Sequence, residues 1–462
     1  MNSGLRWLEE KKYVDSCPLP LRPSCSDAVK PLALPTHSCP CFFCSFTGYF
    51  AAVHPVHILQ ICPRVPFPPT DGGAIAMYDV AAGLTRAGHR VTVLALNTPK
   101  HQQPATVLDH LGPRVRLLTV EVDTRLSPRK ALQNLLSSTL PYNVERFVSP
   151  AVEAQLAELL KQEQFDVVQV EGTFVAWYVA ALKRLAPTVP VVLRAHNVEH
   201  TIWQMLADKT RNPLKKWYLR QLAGRLRRFE QLVLPRFDAV AAITEPDQQR
   251  LRRLGCSEPV VFVPAGVELG RFRSDPAIRP RPRTLCMLGS FDWLPNQQGL
   301  EWLLREVWPE ARRQFPALEL HIGGKNMPER FRQLQLPGVT VHGFVESAAA
   351  FMQQYELMLV PLLSGGGMRI KIIEGMALGK CILSTTLGAE GIHVKPGFDI
   401  VVADSAPEWL AQLGRYYRAE LPVAAIGQEA ARTIARRYDN ARVIESFLDL
   451  YTILLPARAA TP

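Results

Sequence analysis

"LMLVPLLSGGGMRIKIIEGMALGKCILSTT", residues 357–386, decides the fold. A run that is apolar on both faces, a turn of three glycines, an amphipathic stretch and a second apolar run read as strand, turn, helix and strand, the repeating unit of a buried parallel sheet. The same alternation continues outward. Upstream in the same half lie "TLCMLGS", "LELHIGG" and "VTVHGFV", and downstream "DIVVAD", separated by helical stretches such as "QQGLEWLLREVWPEARRQF". An earlier series, "VHILQIC", "RVTVLAL", "VRLLTVEV", "DVVQVEG", "VPVVLRAHN" and "DAVAAIT", is interleaved with helices such as "GGAIAMYDVAAGLTRAGH", which closes at Gly88. The seam falls in "VVFVPAGVELGRFRSDPAIRPRPR", after Pro264, where proline, glycine and arginine break the rhythm.

The fold class expected is therefore α/β, with two doubly wound parallel-sheet domains in tandem. Their expected bounds are 55–266 and 267–440, and a terminal helix in 441–462 is apolar enough to pack back on the first domain. Open parallel sheets bind ligands at the carboxyl ends of their strands, so two such sheets facing each other would enclose a cleft.

Bulk properties remove several function classes. Hydrophobic residues make up 47% and charged residues 21% of the 462, and no run approaches the ~20 apolar residues of a membrane span. The net charge of +11 is concentrated between Lys209 and Arg236, where nine basic residues face the single acid Glu230. Leu219, Leu222, Leu226, Phe229 and Val233 form one apolar stripe there, so this helix is either a solvated face or a contact for anionic lipid headgroups. No aromatic platform accompanies the charge, which argues against nucleic acid. Five of nine cysteines crowd the first 44 residues, and "HSCPCFFC" lacks the second ligand pair of a zinc finger. Residues 1–54 read as a poorly ordered leader, and the remainder as a cytoplasmic protein without a disulfide framework or bound metal.

Arg369 and Lys371 fall at the start of the helix after the glycines, where positive charge opposes the helix dipole and bare N–H groups already favour an anion. Glu374, three residues on along the same helix face, is placed to accept bonds from two vicinal hydroxyls, although the spacing also fits a plain Lys371–Glu374 pair. In the first half, Gly72 and Gly73 open a helix after a strand without forming the dinucleotide fingerprint. His196 and Glu171 each end a strand at the expected cleft.

The ordered set of a Gly-Gly turn, "AHNVE", "VPAGVE", "GSFDWLPNQQGLEWL", "IGG", "VHGFV" and "GGMRIKIIEGMALGKCILSTTLGAEGI" resembles the retaining glycosyltransferases of family 4, over roughly residues 56–455. The resemblance implies a GT-B fold. It also implies transfer of a sugar from a nucleoside-diphosphate sugar, held by the second domain, to a glycan or lipid-linked acceptor held mainly by the first. It assigns the ribose to Glu374, the base to Phe344 and Val345, and the diphosphate to Gly365, Gly366, Gly367 and Met368, with Gly289, Ser290 and Asn296 nearby. His196 approaches the donor sugar, and Gly72, Gly73, Glu171 and Glu199 lie on the acceptor side. No metal or cofactor is implied, since helix-end amides and cations take up the leaving charge.

Two positions depart from the family pattern. A glutamate common eight residues before the ribose-binding one is Gly366 here, so sugar recognition must differ. An arginine and a lysine common after the first strand of the second domain are replaced by "GSFDWLPN", with Asp292 and Asn296, so Arg369 and Lys371 are expected to supply the two charges instead. Other readings are a binding module that has lost catalysis and a GT-B nucleotide-sugar epimerase. The basic helix would suit an acceptor carried by a lipid, with the protein peripheral at the inner membrane face in polysaccharide biosynthesis.

Overall fold

A computed structural model describes residues 55–256, 259–275 and 277–455. The leader and its cysteine cluster lie outside the described residues. Thirteen strands among those described form two sheets, each parallel throughout.

The first sheet is built from β1 (His57–Cys62), β2 (Arg90–Asn97), β3 (Val115–Glu121), β4 (Val167–Glu171), β5 (Val191–Ala195), β6 (Ala239–Ala242) and β7 (Val260–Phe262), ordered β3-β2-β1-β4-β5-β6-β7. The order reverses direction between β1 and β4, which is where such sheets open a crevice at their carboxyl ends. The edge strand β7 is an addition to the six strands expected. It takes up "VVF", which the glycine and proline that follow make look like linker.

The second sheet holds β8 (Arg281–Leu288), β9 (Glu319–Gly323), β10 (Val339–Gly343), β11 (Tyr355–Val360), β12 (Cys381–Ser384) and β13 (Val401–Val402), ordered β10-β9-β8-β11-β12-β13. Its switch point lies between β8 and β11. These six are the six apolar runs legible in the second half of the sequence.

Five helices matter for the site. Helix α1 (Gly72–Arg86) follows β1, capped by the Asp71 side chain, which accepts from the Ala74 amide. Helix α2 (Pro128–Ser137) and the basic helix α3 (Pro213–Val233) lie on the first lobe, joined where Arg225 donates to the carbonyls of Asn134 and Leu135 at 3.1 and 2.6 Å. The apolar stripe of α3 is buried as its spacing predicts. Helix α4 (Ile370–Ala377) follows β11, and α5 (Asn440–Leu454) ends the described chain. Val443, Ile444, Phe447, Leu450 and Tyr451 of α5 are buried with Val56, Ile58 and Val80 in one core of the first lobe. Gly83 of α1 permits that contact, since a Cβ there would lie 2.5 Å from Ile444 Cγ1. Among the described residues no helix is long and apolar enough to cross a membrane.

Candidate active site

Both sheets turn their strand ends toward one cavity of about 940 Å³, lined by residues of both halves of the chain. The wall from the second lobe is built around the turn between β11 and α4. Gly365 and Gly367 have φ of +114° and +74°, a region costly for any residue with a Cβ. Each also packs too closely for a larger residue. A Cβ on Gly365 would lie 2.8 Å from the Trp293 ring, and one on Gly367 would collide with Asn197 Oδ1 of the first lobe. These two glycines shape the turn from behind, while Gly366 and Met368 line the cavity.

The turn consumes two residues more than the sequence indicates, which reads the helix from Met368. Helix α4 starts at Ile370, so Arg369 is its N-cap rather than a first-turn residue, and Lys371 lies just inside. The Arg369 guanidinium is buried over the Trp293 ring, 5.0 Å from its centroid. One of its nitrogens donates to the Gly366 carbonyl, while Nε and Nη2 have no partner. Burial lowers its pKa to about 10, which leaves it charged at neutral pH. Buried donors without acceptors cost roughly 1–3 kcal/mol each, and a bound anion would remove that cost.

Lys371 does not pair with Glu374. Its ammonium donates to Asn296 Oδ1 at 2.9 Å, and Asn296 Nδ2 donates to the Ser290 carbonyl at 2.7 Å. The asparagine thus ties the β8 loop to α4. Burial, then the neighbouring Arg369 charge, pulls the lysine down to about 7. Glu374 is pushed up to about 8, by burial and then by Asp79 of α1, with Arg271 opposing. Asp79 itself rises to about 6 through burial, although Arg271 Nη1 lies 3.5 Å from its Oδ1. Lys371 and Glu374 of α4 thus sit largely uncharged between about pH 7 and pH 8, a state that a ligand offering an anion to one and hydroxyls to the other would reverse.

The first lobe contributes the Gly72–Gly73 turn, with Gly72 so close to α4 that a Cβ would lie 3.3 Å from Ile370 Cγ1. The two glycine-opened helix starts therefore meet across the cleft. His196 lines the cavity and its Nε2 lies 2.7 Å from Glu171 Oε2. Glu171 and Glu199 do not line the cavity. Glu171 is fully buried beneath the strand ends. Burial acts to raise its pKa, but the His196 hydrogen bond, the charges of His196 and Arg194, and the Gln60 amide outweigh it and hold the carboxyl below its ordinary value. Glu199 is buried beside Glu230, and burial and then that neighbour raise it to about 7. Glu230 accepts from the Glu199 amide at 2.8 Å and lies 2.6 Å from His200 Nδ1, which explains the one acid in the basic helix.

Gly289, Ser290, Asn296, Phe344 and Val345 all line the cavity, Phe344 with its ring exposed. Residues not singled out from sequence also do. Lys325 follows the glycines of β9 and reaches Asp71 Oδ2 at 3.2 Å across the cleft, and Asp71 also pairs with Arg64. Lys100 reaches Asp292 at 2.8 Å from the other side. All three cations follow the carboxyl ends of strands, the signal by which they were findable.

Comparison with known proteins agrees with this geometry. A family model for the group 1 glycosyl transferases matches residues 282–418, and one for the glycosyl transferase 4-like domain matches residues 71–266. An uncharacterised 44.6 kDa protein from the cps region of Klebsiella pneumoniae is 20% identical over 401 residues, covering 84% of this chain and 98% of that protein. The phosphatidyl-myo-inositol mannosyltransferase of Mycolicibacterium smegmatis is 25% identical over 346 residues, covering 72% and 77%. The crystal structure of Anabaena HepE in complex with UDP superposes with a TM-score of 0.60 at 14% identity, covering 86% of this chain and 100% of that one. With two facing Rossmann-like sheets of GT-B architecture and family models matching both lobes, the chain belongs to the group 1 glycosyltransferases, of the family 4-like kind.

Proposed function

We propose that the chain transfers a sugar from a nucleoside-diphosphate sugar to a glycan or lipid-linked acceptor, with retention of anomeric configuration and without a metal ion. The observation that carries this reading is the buried guanidinium of Arg369, with two of its nitrogens unpartnered, beside Lys371 at the β11–α4 turn, in the cavity that His196 lines from the first lobe. Two cations and the first amides of α4 suit a diphosphate, and they would stabilise the charge that grows on it as the glycosidic bond breaks. In the same-face route, the acceptor hydroxyl oxygen bonds to the anomeric carbon, the bond to the β-phosphate oxygen breaks, and the hydroxyl proton passes to that phosphate. This needs no protein carboxylate as base.

Glu374 serves the ribose hydroxyls as acceptor, and Phe344 and Val345 serve the base. UDP in HepE and the mannosyltransferase name of the mycobacterial relative support a nucleotide-sugar donor and a lipid-borne acceptor. The family glutamate is absent at Gly366, and a Cβ there would meet Ile202 Cγ1 at 3.0 Å, so an apolar side chain of the first lobe closes that part of the sugar pocket. Its absence alters sugar choice rather than removing the site.

A lipid-borne acceptor also suits the outer face of α2 and α3. Leu132, Leu136, Leu214 and Trp217 are exposed there among Arg129, Lys130, Lys215 and Arg220, a mixture fitted to an anionic membrane surface at the cytoplasmic side.

The test is a panel of nucleoside-diphosphate sugars with chelator present, read by thermal shift and by NMR of the anomeric product. One donor should raise the melting temperature and yield a product of unchanged configuration, with Glu374→Ala losing both. Binding without turnover would instead leave a nucleotide-binding module, and interconversion of free nucleotide sugars an epimerase.

A further inference from the structure

The hydrogen bonds behind His196 do not stop at Glu171. Glu171 Oε1 accepts from Gln60 Nε2 at 2.7 Å and from Gln169 Nε2 at 2.5 Å, which leaves Oε2 for His196. Gln169 Oε1 in turn accepts from the hydroxyl of Tyr451, on α5. Gln60, Gln169, Glu171 and Tyr451 are all buried to within 1% of complete. We infer that Tyr451 is a positioning residue for His196, acting through Gln169 and Glu171 along a buried line of hydrogen bonds from the C-terminal helix to the cleft.

The polarity of the line fixes each group. A tyrosine hydroxyl that donates to the Gln169 carbonyl oxygen turns the amide so that its NH₂ faces Glu171. With one carboxylate oxygen already holding two donors, the carboxylate cannot rotate, and its other oxygen sets the imidazole with the proton on Nε2. The second ring nitrogen, Nδ1, is then the one free of Glu171.

The same helix steadies the remaining charge in the group. Arg194 of β5 lies 4.6 Å from the Phe447 ring centroid and donates to the Pro264 carbonyl at 3.0 Å. The charged and titratable groups around the His196–Glu171 pair include Arg194 from β5, the buried Cys62 thiol from β1 and Tyr451 from α5, with the Gln60 amide from β1. Helix α5 also begins at a crossing between the lobes, where Asn440 N donates to the Val267 carbonyl at 3.0 Å and Val267 N to the Tyr438 carbonyl at 2.8 Å. A helix docked beside that crossing thereby holds a side chain in the cleft.

The kinetic part of the test rests on the transfer reading, and the spectroscopic part does not. Tyr451→Phe removes one oxygen, leaves the ring in place and frees the Gln169 amide to turn. A carboxylate that loses an ordered donor is free to turn, so the His196 ring loses its fixed orientation and tautomer. The expected result is a roughly tenfold lower kcat with donor KM changed less than about twofold. The ¹⁵N resonances of His196, which report its tautomer and hydrogen bonding, should shift. Leu450→Ala, on the same helix, should lower the melting temperature without moving either signal. Unchanged His196 resonances in Tyr451→Phe, or an equal shift in Leu450→Ala, would overturn the inference. A wild-type protein that transfers no sugar counts against the transfer reading, while the resonances still decide the relay.

Discussion

Donor affinity should pass through a maximum near neutral pH, and its two limbs belong to named residues. In the free protein Lys371 is held at about 7 and Glu374 at about 8, so between those values both are mostly uncharged. On the proposed reading, a nucleoside-diphosphate sugar needs both charged, the ammonium against the diphosphate and the carboxylate against the ribose hydroxyls. Near pH ~7.5 binding therefore takes up about one proton at Lys371 and releases about one at Glu374, with almost no net exchange.

The sign on each side follows. Lys371 gains a partner, so its contribution is fully present below its value in the free protein and is lost as pH rises toward its value in the complex. Glu374 behaves in the opposite sense, with its contribution lost as pH falls. Raising pH from about 7.5 to about 9.5 should weaken binding roughly twentyfold, and lowering it to about 6 roughly sixfold. Calorimetry of donor binding in buffers of different ionisation enthalpy reads the proton count directly: about one taken up at the alkaline end and about one released at the acid end. Lys371→Gln should flatten the alkaline limb and Glu374→Gln the acid one. Arg369→Gln should move the alkaline limb to higher pH, because the Arg369 charge is one of the two causes that lower Lys371. Affinity that is flat across this range, with no proton exchange at either end, refutes the reasoning.

Gly367→Ala should cost ~1–2 kcal/mol of backbone strain and also press on Asn197, lowering kcat at least tenfold. Gly397→Ala has the same positive φ, +78°, with nothing near its Cβ, and should lose stability but not turnover. For the outer face of α2 and α3, Leu214→Ser with Trp217→Ser should cut sedimentation with anionic vesicles severalfold and leave donor binding intact. Equal sedimentation of that variant and the wild type, or equal binding to neutral vesicles, would remove the membrane from the proposal.

Sequence alone carried the layers and the glycine turns, because buried parallel strands are apolar on both faces and their polar residues collect at one end. It carried the site less evenly. Lys371 and Glu374 are neighbours by helical spacing, yet the lysine bonds Asn296, 75 positions away, a partner visible only once β8 and β11 lie side by side. Glu171 ends its strand as expected, but the pleat directs its carboxylate under α5 rather than into the cleft. Glu199 was legible as an acid at a helix start and not as one buried against Glu230. Strand β7 was hidden because three residues beside a glycine and a proline carry too little pattern.

The two departures from the family pattern gain a physical sense from these contacts. Asn296 occupies a position where the family commonly has lysine, and its side chain accepts from Lys371, so an ammonium still lies within hydrogen-bonding distance of that position. Asp292 would repel a diphosphate if left alone. It is paired instead with Lys100 of the first lobe, and although burial acts to raise its carboxyl, Lys100, Ser290 and Lys325 hold it below its ordinary value. A site under no demand to bind an anion would need neither adjustment. That both are present, beside a buried guanidinium with two unpaired nitrogens, favours an enzyme with an altered sugar pocket over a lobe pair that has lost its reaction.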